Sequence, residues 1–210
     1  MGMYMRKDEI LLEKAYHKIY EDNNPFKPAS DSDIKDRKQQ QLRLANQKVQ
    51  DYIKAGSVGD LDLYNTPIQS LPDNLKVGGD LRLDMTPIQS LPDNLKVGGS
   101  LDLYSTPIQS LPPGLEVGGN LYLVGSPIQS LPDNLQVGGR LGLGGTPIQS
   151  LPAGLKVGGN LNLTNTQIQS LPDDLKVGRS LYIYNTPLSK KHTKQQIKQM
   201  CPGVKGSIDA

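Results

Sequence analysis

The chain has little of what normally fills a globular core. Trp is absent and Phe occurs once among 210 residues, whereas Gly occurs 22 times and Pro 16 times. An aromatic-poor, turn-rich composition of this kind is unusual for one compact domain of ordinary size. The composition therefore favours a repeat architecture over a globule packed around large side chains.

Cysteine and histidine are almost missing as well. The one cysteine, Cys201, excludes an intrachain disulfide, so a reducing cytoplasm is the expected location. An enzyme needs a nucleophile, a base or a metal site, and the two histidines, His17 and His192, lie in opposite end regions. We therefore predict no catalytic residue and no cofactor, and we interpret Cys201 as a buried or tolerated thiol.

A dominant charge and a long apolar run are also absent. Lys and Arg number 23 against 21 Asp and Glu, so the composition does not mark a polyanion-binding protein. The first twelve residues are too rich in charge for a signal peptide or a membrane span, and Arg6 stands where a myristoylation motif requires Ser or Thr. The sequence predicts a soluble chain without a membrane anchor.

What the chain has instead is one 20-residue unit repeated along its length. The segment TPIQSLP recurs with small changes at this spacing, beginning at Thr66, Thr86, Thr106, Ser126, Thr146 and Thr166, and fading at Thr186. Each copy follows a Leu-x-Leu or Leu-x-Ile pair, whose period of two places both apolar side chains on one side of a strand. Seven such pairs predict seven strand positions in a parallel ladder.

Six apolar positions of each repeat are predicted to form the core. One coil buries little apolar surface alone, but stacked coils join these positions into continuous columns. The back of each coil is expected to be irregular turn, because Pro72 cannot donate a ladder hydrogen bond and Gly78 and Gly79 permit positive φ. In the first repeat the core positions are Leu61, Leu63, Ile68, Leu71, Leu75 and Val77.

The pattern Leu81-x-Leu83-x-x-Thr86-x-Ile88-x-x-Leu91-Pro92 resembles the leucine-rich-repeat consensus, in the short form typical of bacterial and bacteriophage proteins. The resemblance covers residues 58–189 and departs from the family where Thr or Ser replaces the usual ladder Asn. It implies an α/β, mainly β, solenoid with a parallel β-ladder on one face. We interpret the Thr column as a hydrogen-bonded ladder between coils, and binding of an ice or crystal lattice is the alternative.

Helical regions are predicted at both ends, where they would cover the open strand edges. The expected organisation is an N-terminal helical region at 1–56, the solenoid at 57–188, and a C-terminal cap helix and tail at 189–210. One N-terminal helix is predicted over 9–20 and a second over 33–54 with Ser30 or Ser32 as its N-cap, and both could instead dock elsewhere. The apolar side of the second helix consists of Leu42, Leu44, Ala45, Val49, Tyr52 and Ile53.

Variation between the repeats points to a binding surface. The turns barely differ, whereas the outward strand positions differ in every coil, although drift at exposed positions would give the same pattern. Five of the nine tyrosines lie on this face, and Tyr is enriched where protein interfaces form. The candidate partner-binding residues are Asp60, Asp62, Tyr64, Arg82, Asp84, Asp102, Tyr104, Tyr122, Arg140, Asn162, Tyr182 and Tyr184.

The acids and tyrosines at the start of this face predict a non-enzymatic module that binds a host or viral protein through a basic segment. Nucleic acid is not expected, because its phosphates would meet carboxylates. A structural or self-assembling protein, such as a homo-oligomer or a virion component, is the alternative, and an enzyme using Cys201 or a metal is a weaker one. No metal is predicted, because EF-hand or nonapeptide calcium spacing is absent. The acids considered for calcium were Asp60, Asp62, Asp80, Asp84 and Asp102.

Overall fold

A computed structural model describes residues 29–210 of the chain, together with Lys14 and Lys18. The chain divides into two compact units, residues 1–39 and 40–210. Helix α1 (Asp31–Lys54) begins in the first unit, where Ser30 caps it. The Ser30 hydroxyl accepts the N–H of Asp33 at 3.2 Å, and the Asp33 carboxylate accepts the N–H of Ser30 at 3.0 Å. One of the two predicted N-caps is thereby confirmed, whereas the helix predicted over 9–20 lies outside the described residues.

The second unit is a parallel β-solenoid with a front sheet built from the Leu-x-Leu pairs. Successive strands pair in register one repeat apart, as Leu61 does with Leu81. The seven predicted strand positions are confirmed, and the C-terminal tail adds an eighth strand. In spatial order the strands are β1 (Leu61–Asp62), β3 (Leu81–Arg82), β5 (Leu101–Asp102), β7 (Leu121–Tyr122), β9 (Leu141–Gly142), β11 (Leu161–Asn162), β13 (Leu181–Tyr182) and β14 (Ile208–Asp209).

The back of the solenoid carries a second parallel sheet that the sequence does not predict. Its strands also stack one repeat apart, because Gly98 donates its N–H to the carbonyl of Val77 at 2.8 Å and later coils repeat this bond. The expectation of irregular turn without helix is therefore correct only in part, because the turns of each coil flank a two-residue strand. The back strands are β2 (Lys76–Val77), β4 (Lys96–Val97), β6 (Glu116–Val117), β8 (Gln136–Val137), β10 (Lys156–Val157) and β12 (Lys176–Val177).

Close stacking of the coils, and not positive φ, explains the paired glycines. Neither Gly78 nor Gly79 has positive φ. A Cβ added to Gly118 would lie 2.2 Å from the carbonyl oxygen of Gly98 in the preceding coil, well inside van der Waals contact. The expected role of these glycines is therefore wrong, because they are required where two backbones approach closely.

The six predicted apolar columns form one continuous core. All six positions of the first repeat are buried, and their equivalents in later coils are buried too, except Leu171, which is partly buried. Burial of each Leu, Ile or Val side chain contributes about 1.5–3 kcal/mol to stability. The hydrophobic columns therefore supply the main favourable term that holds the coils together.

The part of α1 that belongs to the second unit caps the first coil. Ala45 and Val49 are buried in the core, and the Tyr52 hydroxyl donates to the carbonyl of Gly59 at 2.9 Å. Capping by the second predicted helix is thus confirmed. The predicted apolar side is only partly correct, because Leu44 is 64% exposed and Ile53 is exposed as well.

The C-terminal region forms two short helices and a partial coil, where a single cap helix followed by a tail was expected over 189–210. Helices α2 (Pro187–Lys191) and α3 (Lys194–Met200) are separate, because Thr193 caps α3 and interrupts the run. Val204 then bridges to Val177 in the back sheet, so the tail extends both sheets by one position. No helix in the part of the chain described by the structure has the length and apolarity to cross a bilayer.

Candidate functional site

The threonine column closes each coil and does not link one coil to the next. The hydroxyl of Thr86 donates to the carbonyl of Leu83 in its own coil at 2.6 Å, and Thr66, Thr106 and Thr146 do the same. The expected ladder between coils is therefore wrong at this position. Binding of a lattice is contradicted as well, because these threonines are buried from the second coil onward.

Links between coils come from a different column. Asp60 Oδ1 accepts the N–H of Asp80 at 2.7 Å, and Asp80 Oδ1 accepts the N–H of Ser100 at 2.6 Å. Arg140 interrupts this series, because a guanidinium has no acceptor. Among the candidate residues, Asp60 thus belongs to the scaffold and Arg140 breaks it. We name these positions the ladder column: Asp60, Asp80, Ser100, Asn120, Arg140, Asn160 and Ser180.

Two further columns project from the front sheet and form the front face. Tyr64, Tyr104 and Tyr184 are each 45% exposed, whereas Tyr122 and Tyr182 are half-buried. The first column consists of Asp62, Arg82, Asp102, Tyr122, Gly142, Asn162 and Tyr182. The second consists of Tyr64, Asp84, Tyr104, Val124, Gly144, Thr164 and Tyr184. The structure therefore places ten of the twelve candidates on one face.

Six of the candidates converge on the first three coils, and we name them the acidic–aromatic patch. In two of these coils an Asp and a Tyr form the same local unit, in which Oδ1 of Asp62 or Asp102 accepts the N–H of the Tyr two residues later at 3.0 Å. The units are two coils apart, and Asp84 lies in the coil between them. The patch consists of Asp62, Tyr64, Arg82, Asp84, Asp102 and Tyr104.

Arg82 occupies the first of these units. Its guanidinium carbon lies 5.2 Å from the centroid of the Tyr64 ring, within the range of a cation–π contact. Nη2 lies 3.4 Å from Asp84 and Nη1 lies 3.6 Å from Asp62. The charges of Asp84 and Asp62, in that order, raise the pKa of Arg82 above its usual value. The first Asp–Tyr unit therefore already contains a cation.

Burial perturbs the other two carboxylates of the patch, those of Asp84 and Asp102. Asp84 is 8% exposed, and its Oδ1 is buried with no hydrogen-bond partner among the described residues. A buried polar atom without a partner is costly. Burial raises the pKa of Asp102 above its usual value, and the charge of Asp84 raises it further. The patch thus carries more negative charge than Arg82 alone balances.

Met85 borders the patch, and its backbone conformation is unfavourable for a methionine. Its φ is 59°, and its side chain is 50% exposed. A non-glycine residue in the left-handed region costs about 1–3 kcal/mol. The sequence reveals the outlier once the repeats are superimposed, because small or turn-forming residues fill this position elsewhere: Asn65, Ser105, Gly125, Gly145, Asn165 and Asn185.

Metal and thiol chemistry have no arranged site in the described part of the chain. No group of three or more His, Cys, Asp and Glu side chains there is arranged to hold a metal ion. Cys201 is fully buried, its Sγ donates to the carbonyl of Ile197 at 2.9 Å, and burial raises its pKa. Cys201 is therefore held as an inaccessible thiol.

The fold defines the class of protein. Stacked coils of 20 residues, with parallel sheets in register on two sides, make the chain a parallel β-solenoid repeat protein. Comparison with protein families, with curated proteins and with solved structures finds no match to this chain. Its particular role must therefore be argued from its own surface.

Proposed function

We propose that this chain is a non-enzymatic protein-binding module of the leucine-rich-repeat type, which binds its partner through the front face. One observation carries the proposal: Tyr64, Tyr104 and Tyr184 project half-exposed from one column of an ordered ladder. Tyr combines apolar area with a polar tip and is a frequent interface hot spot. Because a rigid scaffold holds these side chains, little conformational entropy is lost on binding.

The acidic–aromatic patch is the centre of this proposed surface. It contains three carboxylates and one guanidinium, so a basic segment of a partner protein complements it. Met85 adds an exposed apolar side chain at its edge, despite the backbone strain at that position. Strain retained at an exposed position is typical of a site where function outweighs stability.

The same proposal places the protein in a bacterial cytoplasm, where a bacterium or a phage encodes it and a host or viral protein is its partner. Two features support this location. The short repeats resemble those of bacterial and phage leucine-rich-repeat proteins, and the single cysteine is a buried thiol that needs no oxidising compartment.

The test begins with affinity capture from bacterial lysate, followed by calorimetry with the purified partner. Replacing both Tyr64 and Tyr104 with Ala should weaken binding by a factor on the order of 1,000, since each hot-spot Tyr contributes about 2 kcal/mol and each 1.4 kcal/mol is tenfold. The matched control replaces Lys76 and Lys156, which are exposed on the back sheet, with Ala and should bind like the parent. Equal binding by the front-face variant and the parent would contradict the proposal.

Self-assembly is the second candidate, and the distribution of charge favours it over a catalytic role. Residues 175–210 contain seven cationic residues and one acid, so this end of one copy could contact the acidic–aromatic patch of another. Light scattering at low and high salt separates the two functions. A homo-oligomer that dissociates in salt and in the Tyr64→Ala, Tyr104→Ala variant would support self-assembly, whereas a monomer under all conditions would exclude it.

A further inference from the structure

We propose that the acidic–aromatic patch contains a second cation site, formed by Tyr104, Asp102 and Asp84, which receives an arginine side chain of the partner protein. The inference rests on the proposed protein-binding role of the front face. It goes further in naming the group that is recognised and the residues that recognise it.

The acidic–aromatic patch contains the same Asp–Tyr unit twice. The unit Asp102–Tyr104 repeats the unit Asp62–Tyr64, with the same 3.0 Å bond from the Tyr N–H to the Asp carboxylate. Tyr64 and Tyr104 are also equally exposed. In the first unit Arg82 shows how a guanidinium is held, over the ring and between two carboxylates. The second unit offers a ring and a carboxylate joined by the same backbone bond. Val124 stands where the equivalent of Asp84 would be, so the second carboxylate here is Asp84 itself, one coil before Tyr104.

The two units differ in the residue that lies beside the Asp in the next coil. Arg82 pairs in register with Asp62, whereas the neutral Tyr122 pairs in register with Asp102. Tyr122 packs toward the following coil, since a Cβ on Gly142 would lie 3.6 Å from its ring. Within residues 29–210, Arg82 over Tyr64 is the one cation–ring contact. The second unit therefore has no cation of its own among these residues.

The carboxylates between the two units carry negative charge that Arg82 does not fully balance. Asp84 directs Oδ2 toward Arg82, while its buried Oδ1 has no hydrogen-bond partner in the described part of the chain. Arg82 pairs in register with Asp102 in the adjacent strand, and Asp84 precedes Met85, whose N–H donates to the carbonyl of Tyr104, so Asp84 lies one coil from the second unit. A further cation at Tyr104 would reduce the repulsion between the two carboxylates. Arginine fits better than lysine, because a planar guanidinium can stack on a ring and pair with carboxylates at the same time.

The direct test uses a defined probe, N-acetyl-arginine amide, with the neutral isostere N-acetyl-citrulline amide as its control. Amide chemical shifts of the full chain are followed by NMR during titration. We expect saturable shifts around Tyr104 and Asp102 with the arginine probe, and none with citrulline. Equal shifts with both probes, or shifts confined to other coils, would overturn the inference.

One substitution removes the charge and leaves the turn intact. In the sixth coil Asn162 Oδ1 accepts the N–H of Thr164 at 3.0 Å, so Asn can replace Asp in this bond. Asp102→Asn should therefore fold normally and bind the arginine probe about tenfold more weakly. The control is Asp133→Asn, which removes an exposed carboxylate outside the front face and should change nothing. Unchanged binding by Asp102→Asn would overturn the site.

Removing the internal cation gives a complementary result. Arg82→Gln should open the first unit, so that two arginine probes bind where the parent binds one. A single, unchanged binding event in this variant would contradict the equivalence of the two units.

The purified partner separates failure of this inference from failure of the proposed function. A partner that loses affinity for the Tyr64→Ala, Tyr104→Ala variant but binds Asp102→Asn like the parent would overturn the arginine site and leave the front face standing. A partner that tolerates both variants would contradict the proposed function itself.

Discussion

The front and back sheets share one 20-residue period, yet only the back sheet repeats its sequence closely. Every back strand ends in Val, and Gly follows each of them, whereas the outward front positions change in every coil. Both sheets stack with similar hydrogen-bond lengths, and the physical difference lies in the turn that follows each back strand. Past each back strand the glycine backbones nearly touch, as at Gly118 and Gly98, whereas front side chains project away from their neighbours. Close stacking therefore constrains the residues that follow each back strand, whereas the outward residues of the front sheet can vary between coils.

Matched alanine substitutions on the two sheets test this comparison with the largest expected effect. Gly118→Ala should lower the free energy of unfolding by about 3 kcal/mol, because the new Cβ would meet a backbone carbonyl that cannot move aside. Gly142→Ala on the front should cost less than about 1 kcal/mol, since its Cβ would make an ordinary contact with the Tyr122 ring. Urea unfolding followed by circular dichroism measures both, and equal losses would break the comparison.

The ladder column offers a smaller test within the front sheet. Arg140→Asn should raise the free energy of unfolding by about 1 kcal/mol, because it restores an acceptor for the next coil. The reverse change is Asn120→Ala, which removes the 2.8 Å bond from the Arg140 N–H and should lose a similar amount. Thermal unfolding of the two variants would show shifts of opposite sign, and a destabilised Arg140→Asn would mean that the column does not link coils.

Substitution of Met85 tests whether this position of the front face lowers the stability of the fold. Met85→Asn should stabilise the chain by about 1 kcal/mol, because Asn tolerates the left-handed region better than Met. The control is Asn165→Met, at an equivalent position with φ of 60°, which should lose about as much. Denaturant midpoints decide the outcome. If Asn165→Met unfolds like the parent, backbone strain is not what distinguishes Met85.

The smallest expected effect is electrostatic, and it is measured as the pKa of Asp102 in the acidic–aromatic patch. Carboxyl NMR titration should find the pKa of Asp102 above its usual value, and Arg82→Gln should raise it further, because Arg82 lowers it. Asp62 and Asp84 also carry charge beside Arg82. Folded Asp102 binds its proton more tightly than the unfolded chain does, so its contribution to stability falls as pH rises from the unfolded pKa through the folded one. A lower pKa in Arg82→Gln would contradict this coupling.

Periodicity made much of the fold predictable. The Leu-x-Leu pairs and the six apolar columns indicate the front sheet and the core directly, because their spacing is a property of the chain alone. The back strands are no shorter than the front strands, at two residues each, and they were missed because the neighbouring Pro72 and the pair Gly78 and Gly79 indicate turn. Its hydrogen bonds depend on the next coil, as the bond from Gly98 to Val77 does, and local sequence does not report them.

The sequence predicted which face carries the candidate site, but it did not predict the contacts and the burial of the side chains there. The sequence placed Asp62, Tyr64 and Arg82 on one side of the sheet, and the structure places their side chains together there. It did not reveal that Asp84 is buried, because an aspartate two residues after an exposed arginine carries no sign of burial. Nor did it separate Asp60, which bonds to the next coil, from neighbours that face solvent.

The sequence by itself determined the repeat length, the seven front strands that the repeats build, the core columns and the face that varies. Each follows from the order of residues along one chain, where a period of 20 and a period of two are visible without any contact. Tertiary structure alone decided the back sheet, the glycine contacts, the hydrogen-bonded ladder column and the pairing of Arg82 with Tyr64. These depend on which atoms of neighbouring coils come within about 4 Å of one another, and only stacking sets that distance.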